Sequence, residues 1–284
     1  MRDTYPNQFL WTAHSTADGT QPSTSFGTSV TPGTNSYGSY VQLISGASVT
    51  DEVWEFEIRV DNVGINAAAR NCVIKIGLDE AGGTSYTDFI VDLLTGPAGS
   101  TAAGTDFAPP VKFVFPVRIP AGASVAAAAS VNSATLTAIQ VSIMLRGRPT
   151  RPDVVRRGVG VDTFGATPAS SSGTSITPGT ASEGSWTQIG SAAAKTYWYW
   201  EVGWGLNTSA SADCLQFVDV GVGDASNKQV IIANAELSFT VRETIRRPSM
   251  GRAGMAVSGD LLYVRAQAST TVSGQSCALY GVWG

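Results

Sequence analysis

Residues 53–60 read VWEFEIRV, and in them Trp54, Phe56, Ile58 and Val60 alternate with Glu55, Glu57 and Arg59. A period of two marks a strand with one face in a core and the other in water. Downstream by 146 residues, YWEVGW at 199–204 carries Trp54 onto Trp200 and Glu55 onto Glu201. The second copy keeps Trp198, Trp200, Val202 and Trp204 as a core-facing set and puts Tyr197, Tyr199 and Glu201 on the opposite face, which is expected to be wet.

The same offset links GTSVTPGTNSYGSYVQ at 27–42 to GTSITPGTASEGSWTQ at 173–188, pairing Pro32 with Pro178. Further along it falls to 144, with VIKIGL at 73–78 opposite FVDVGV at 217–222, and the copies close on VSIMLRG (141–147) and ALYGVWG (278–284). The chain is therefore a tandem duplication. It divides into an N-terminal arm (1–22), a first repeat (23–147), an Arg/Pro-rich linker (148–158) and a second repeat (159–284). Each copy has the size of a β-sandwich, about 120 to 140 residues.

Turn signals punctuate the alternating runs: Thr31-Pro32-Gly33, Gly82-Gly83, Pro120-Ala121-Gly122 and Thr177-Pro178-Gly179. Pro presets φ at the first central position of a type II turn and Gly accepts positive φ at the second. With 31 Gly, 13 Pro and only 14% charged residues, the composition suits short strands and tight turns better than helices. The expected fold class is all-β: two tandem homologous β-sandwich domains of jelly-roll or immunoglobulin-like connectivity. The alanine-rich stretch 125–130 reads equally as a short helix or as a strand against a crowded neighbour.

A net charge of −4 supplies no basic face for nucleic acid, so no nucleic-acid partner is expected. No apolar run is long enough for a membrane span, and MRDTYP at the start lacks a signal-peptide pattern, so synthesis in the cytosol without a membrane partner is expected. Cys72, Cys214 and Cys277 are too scattered for a disulfide framework or a CxxC metal site and read as buried free thiols.

Chemistry-bearing residues are sparse. His14 is the single histidine and lies in a Ser/Thr-rich arm. The pairs Asp51/Glu52 and Asp79/Glu80 fall at strand ends, where Asp serves turns; Asp224, Ser226 and Asn227 beside Asp219 read as a hairpin turn before they read as a calcium loop. No nucleophile elbow, phosphate loop or HExxH occurs. The expectation is a protein that is not an enzyme, with no catalytic residues, no metal and no cofactor.

Two features carry more. Arg146, Arg148, Arg151, Arg156 and Arg157 place five of 18 basic residues within a dozen positions, a segment suited to bidentate pairing with carboxylates of a partner. Tyr197 and Tyr199 offer rings for a subunit interface or for stacking on a sugar. Tyr5, Phe9 and Trp11 in the arm add apolar side chains that could dock on a neighbour.

The segments GTSVTPGTNSYGSYVQL (27–43), IGLDEAGGTSY (76–86), FPVRIPAGASV (115–125) and RGRPTRPD (146–153), followed by the second GTSITPGTASEGSWTQ, resemble tailed-bacteriophage virion structural proteins with tandem β-sandwich repeats. The resemblance covers most of the chain and follows turns and core strands, so it transfers no functional residue. It implies a structural virion component of head-decoration, collar, neck or tail-fibre type, located in the virion after synthesis in the host cytoplasm. It would be homo-oligomeric and act through other virion proteins. The alternative is a carbohydrate-binding module or adhesin that meets a host glycan through the second repeat's aromatics.

Overall fold

The computed structural model describes residues 12–14, 27–61, 72–95, 111–132, 139–149, 156–169, 172–206, 214–239, 244–246 and 252–284. Among the described residues the helical content is one 3-10 turn, Gly46–Ser48. The first repeat contributes β1 (Thr12–His14), β2 (Thr28–Val30), β3 (Gly33–Thr34), β4 (Val41–Ile44), β5 (Glu55–Asp61), β6 (Cys72–Asp79), β7 (Thr87–Thr95), β8 (Val111–Phe115), β9 (Ser124–Val131) and β10 (Ile139–Arg146). The second contributes β11 (Gly160–Phe164), β12 (Thr174–Ile176), β13 (Thr187–Gln188), β14 (Tyr197–Leu206), β15 (Cys214–Gly223), β16 (Lys228–Phe239), β17 (Thr244–Arg246), β18 (Arg252–Ala256), β19 (Leu261–Ala268) and β20 (Gln275–Trp283).

Pairing in the first repeat is nested: β2 with β10, β4 with β9, β5 with β8 and β6 with β7. The second repeat nests alike, β12 with β20, β13 with β19, β14 with β18 and β15 with β16. A hairpin nested four deep and rolled so that its pairs alternate between two sheets is a jelly roll. The resulting sheets are β2-β10-β5-β8 against β4-β9-β6-β7, then β12-β20-β14-β18 against β13-β19-β15-β16. The immunoglobulin-like alternative drops out. β1 lies on the edge of β10 where β11 lies on the edge of β20, so residues 12–14 of the arm belong to the repeating unit.

In β5 the alternation holds for the core side: Phe56, Ile58 and Val60 are fully buried. The other side is not wet as expected, because Glu57 is also fully buried. Arg59, Lys112 and Arg146 converge on it at 2.6, 3.0 and 2.8 Å.

The alanine-rich stretch is a strand. Every residue of β9 is buried, between β6 on one side and β3 and β4 on the other, so small side chains are what the crowded position admits. In β14 the expected phase fails at the start: Tyr197 pairs with Trp283 and Tyr199 with Val282, leaving Trp198 as the extra residue of a β-bulge. Tyr197 therefore joins Trp200, Val202 and Trp204 in the second core, while Trp198 turns outward and packs against the first.

Candidate functional site

A jelly roll leaves an edge strand on each sheet at its open side, with backbone groups that need partners. In the first repeat these edges are β8 and β7, and the second repeat covers both. The Val114 N–H on β8 donates to Glu201 Oε1 at 3.1 Å, and the Val114 carbonyl accepts from the Tyr199 hydroxyl at 2.7 Å. On β7, the Leu94 N–H donates to the Tyr280 hydroxyl at 2.6 Å, and that hydroxyl donates to the Asp92 carbonyl at 3.0 Å. Thr163 Oγ1 donates to the Val91 carbonyl at 2.5 Å.

Between these polar contacts Ala278, Tyr280 and Val282 of β20 enter the first core, where Phe113 and Phe115 meet the Tyr280 ring edge-on at 5.5 and 6.3 Å. The alternate β20 residues Cys277 and Leu279 serve the second core. β14 adds a parallel bridge from Trp204 to Thr95, which joins sheets of both repeats into one of ten strands. Gly203 is what lets β14 approach: a Cβ there would lie 2.5 Å from the Tyr280 hydroxyl and 3.0 Å from Leu94 Cβ.

The sequence-selected residues fall into this frame unevenly. Tyr199 is at the seam, but within one chain. Its expected outward, accessible position and that of Tyr197 are corrected. Tyr197 is fully buried with its hydroxyl on Asp162 at 2.6 Å, and Lys195 and Trp283 Nε1 share that carboxylate. Burial, reinforced by the neighbouring carboxylates, pushes both phenols above the usual tyrosine range. Both hydroxyls therefore stay protonated at neutral pH and donate to partners within the chain.

Three of the five arginines are likewise engaged within the chain. Arg146 pairs with Glu55 and Glu57. Arg157 pairs with Glu52 and lies over the Trp54 ring at 4.3 Å. Arg156 donates to the Gly284 carbonyl at 2.9 Å and lies over Trp198 at 4.7 Å. Arg148 is exposed. Arg151, Tyr5, Phe9 and Trp11 lie outside the described residues.

Carboxylates behave as turn residues. Asp79 accepts from the N–H groups of Ala81 at 2.9 Å and Ser85 at 2.8 Å, and Asp224 from those of Ser226 and Asn227 at 2.7 Å. Among the described residues no three His, Cys, Asp or Glu side chains gather as a metal site. Cys72, Cys214 and Cys277 are free and buried.

Tyr280, Thr163 and Gly203 escape a reading by alternation. The available signal was the run ALYGVW at 278–283, apolar without interruption, which is the pattern of a strand buried on both faces.

No family model and no curated protein matches the chain. Among solved structures, two of PNGF-II, in P21 and C2 space groups, superpose with a TM-score of 0.37 at 8% and 7% identity. They cover 90% and 89% of this chain, which spans 64% and 63% of theirs. Superpositions this loose bear on neither topology nor chemistry.

Proposed function

We propose that the chain is a non-enzymatic structural component of a phage virion, of head-decoration, collar, neck or fibre type, which acts by assembling with other virion proteins and with copies of itself. The observation that carries the reading is the sealed seam. Side chains of one jelly roll close both edge strands of the other, so the duplicated unit behaves as one stiff block that can transmit position between neighbours. Support also comes from the resemblance of turns and core strands to virion proteins.

Two surfaces suit assembly. The arm strand β1 holds the edge of β10 by a three-residue pairing, and strand addition of that kind works as well between subunits as within one. The second repeat exposes Leu215, Phe217, Val230, Met255 and Val257, apolar side chains of the kind that partners cover.

The test is quantitative mass spectrometry of purified particles with labelling of the chain by gold-tagged antibody. A fixed, integral copy number at one location is expected. Loss of the chain from particles during density-gradient purification overturns the proposal. Removing residues 1–22 should abolish incorporation while the circular dichroism of both repeats persists.

A further inference from the structure

Beyond assembly, we infer that the first repeat carries a binding site for a single neutral sugar ring of a glycan, in the hollow between the β6–β7 hairpin and β4. Tyr40, Gln42, Thr84, Ser85 and Tyr86 line this open depression of about 550 Å3, within the range of pockets that hold small molecules.

The two rings stand 5.4 Å apart at 50°, making an angled apolar wall. Tyr40 is fixed before any ligand arrives. A Cβ on Gly77 would be 2.7 Å from its ring atoms, so the bare glycine backbone is its seat. Its hydroxyl donates to Asp88 Oδ1, which Lys75 Nζ also holds at 2.9 Å. The opposite wall is equally set. Asp79 clamps the hairpin through Ala81 and Ser85, and the Ser124 hydroxyl donates to the Gly83 carbonyl at 2.6 Å. Preorganisation of this kind lowers the cost of binding.

Three observations select the ligand class. The nearby charges, Lys75 against Asp88 and the hairpin's Asp79, leave no surplus of positive charge for an anion, and both carboxylates are already engaged, Asp88 by Lys75 and Asp79 by backbone N–H groups. The lining supplies hydroxyls and an amide that both donate and accept, beside ring faces that suit the C–H side of a pyranose. The Tyr86 hydroxyl is buried without a hydrogen-bond partner among the described residues, a costly state that a small turn of its ring towards a ligand hydroxyl in the hollow would relieve.

The second repeat serves as an internal contrast. Trp186 takes the place of Tyr40, 146 residues on, and sits over Gly221, whose Cβ would be 3.0 Å from the ring. Arg265 lies over that ring at 4.4 Å, as Lys75 lies over Tyr40 at 4.7 Å, but the broad guanidinium is tied to both Asp219 and Glu183. The β15–β16 turn is shorter: Gly77 and Gly221 differ by 144, but their hairpin neighbours Thr87 and Gln229 by 142. Two residues are missing, and Lys228 stands where Tyr86 does, so the paired tyrosine wall is not repeated in the second copy.

The full chain should be applied to a printed array of neutral and acidic oligosaccharides, followed by titration with the corresponding free monosaccharide. Binding to neutral glycans is expected, competed by the free sugar, and binding that no free monosaccharide competes for overturns the single-ring site. Gln42→Ala and Tyr86→Phe should each weaken binding at least tenfold, with Lys228→Ala unchanged. Tyr86→Phe should melt at or above the parent temperature, because it removes an unpaired hydroxyl while keeping the ring. An array with no neutral glycan above background, a response confined to acidic glycans, or affinity that survives both substitutions overturns the inference. None of these outcomes touches the assembly proposal, which is read from particles.

Discussion

Replacing Tyr280 by Phe tests the seam at its centre. The substitution keeps the ring, its edge-on contacts with Phe113 and Phe115 and its volume, so no cavity cost enters. It removes one hydroxyl that accepts from the Leu94 N–H at 2.6 Å and donates to the Asp92 carbonyl at 3.0 Å. Each buried group deprived of its partner costs about 1–3 kcal/mol, which makes the expected loss for the two about 2–6 kcal/mol. At about 2–4 °C per kcal/mol for a chain of this size, that is a fall in Tm of roughly 4 to 24 °C. Urea unfolding should show a lower midpoint, and amide exchange should accelerate along β7 before it does in β6. Tyr197→Phe is the matched control. It removes the hydroxyl from Asp162, but Lys195 and Trp283 remain on that carboxylate, so the loss should be about 1 kcal/mol. A Tyr280→Phe protein within 0.5 kcal/mol of the parent would refute the claim that side chains of the second repeat satisfy the first repeat's edge.

Other consequences follow from particular residues. Gly203→Ala places a methyl 2.5 Å from the Tyr280 hydroxyl and should destabilise by about 1–3 kcal/mol. In the Tyr280→Phe background that cost should shrink in a double-mutant cycle of urea midpoints. Burial pushes the Glu57 carboxyl up, but hydrogen bonds from Lys112, Arg146 and Arg59 outweigh it and hold its pKa down at about 2, below the ordinary 4.5. Because the folded value is the lower one, the stabilisation is complete above pH 4.5 and disappears as pH falls towards 2, about 2 kcal/mol after allowance for the half-exposed Arg59 and Lys112. Glu57→Gln should flatten that part of the acid-unfolding curve. Burial raises the Cys72 thiol to about 12 and Cys277 likewise upward, so neither should react with a disulfide reagent at pH 8 until urea unfolds the chain. Ala127→Leu in the fully buried β9 should cost about 2 kcal/mol or more by overpacking, read from the urea midpoint.

Much of the architecture was legible because it follows periodicity and turn chemistry. The 146-residue offset located the repeat, alternation placed Phe56, Ile58 and Val60 inside, and Asp79 and Asp224 were readable as turn residues because their oxygens reach backbone N–H groups nearby. What escaped depends on non-local contacts. In Tyr197-Trp198-Tyr199-Trp200 both phases of the alternation are aromatic, so nothing in the sequence marks the bulge that turns Tyr197 inward. Glu57 and Glu201 look like solvent-facing charges until partners from distant strands, Lys112 and Arg146 for one and the Val114 backbone for the other, close over them. The arginine cluster was visible, but its partners Glu52, Trp54, Trp198 and Gly284 lie far away along the chain. The hollow at Tyr40 was hidden because its lining comes from two separate segments, 40–42 and 84–86.

The seam itself reduces to a difference between equivalent strands. β5 and β14 occupy equivalent places in the two nested hairpins, and at the offset of 146 Glu55 corresponds to Glu201 while Glu57 corresponds to Gly203. In the first repeat the outward face keeps both carboxylates and closes over them with its own cations. In the second, the bare Gly203 presents no obstacle to β7, and Glu201 meets the edge of β8. The equivalent carboxylate is thus half of an ion pair in one repeat and the acceptor for an edge-strand amide in the other. The two repeats meet where a side chain is missing, and the alternation of residue types, which marks rings such as Tyr197 and Tyr199, carries no sign of the close approach that a bare Gly203 allows.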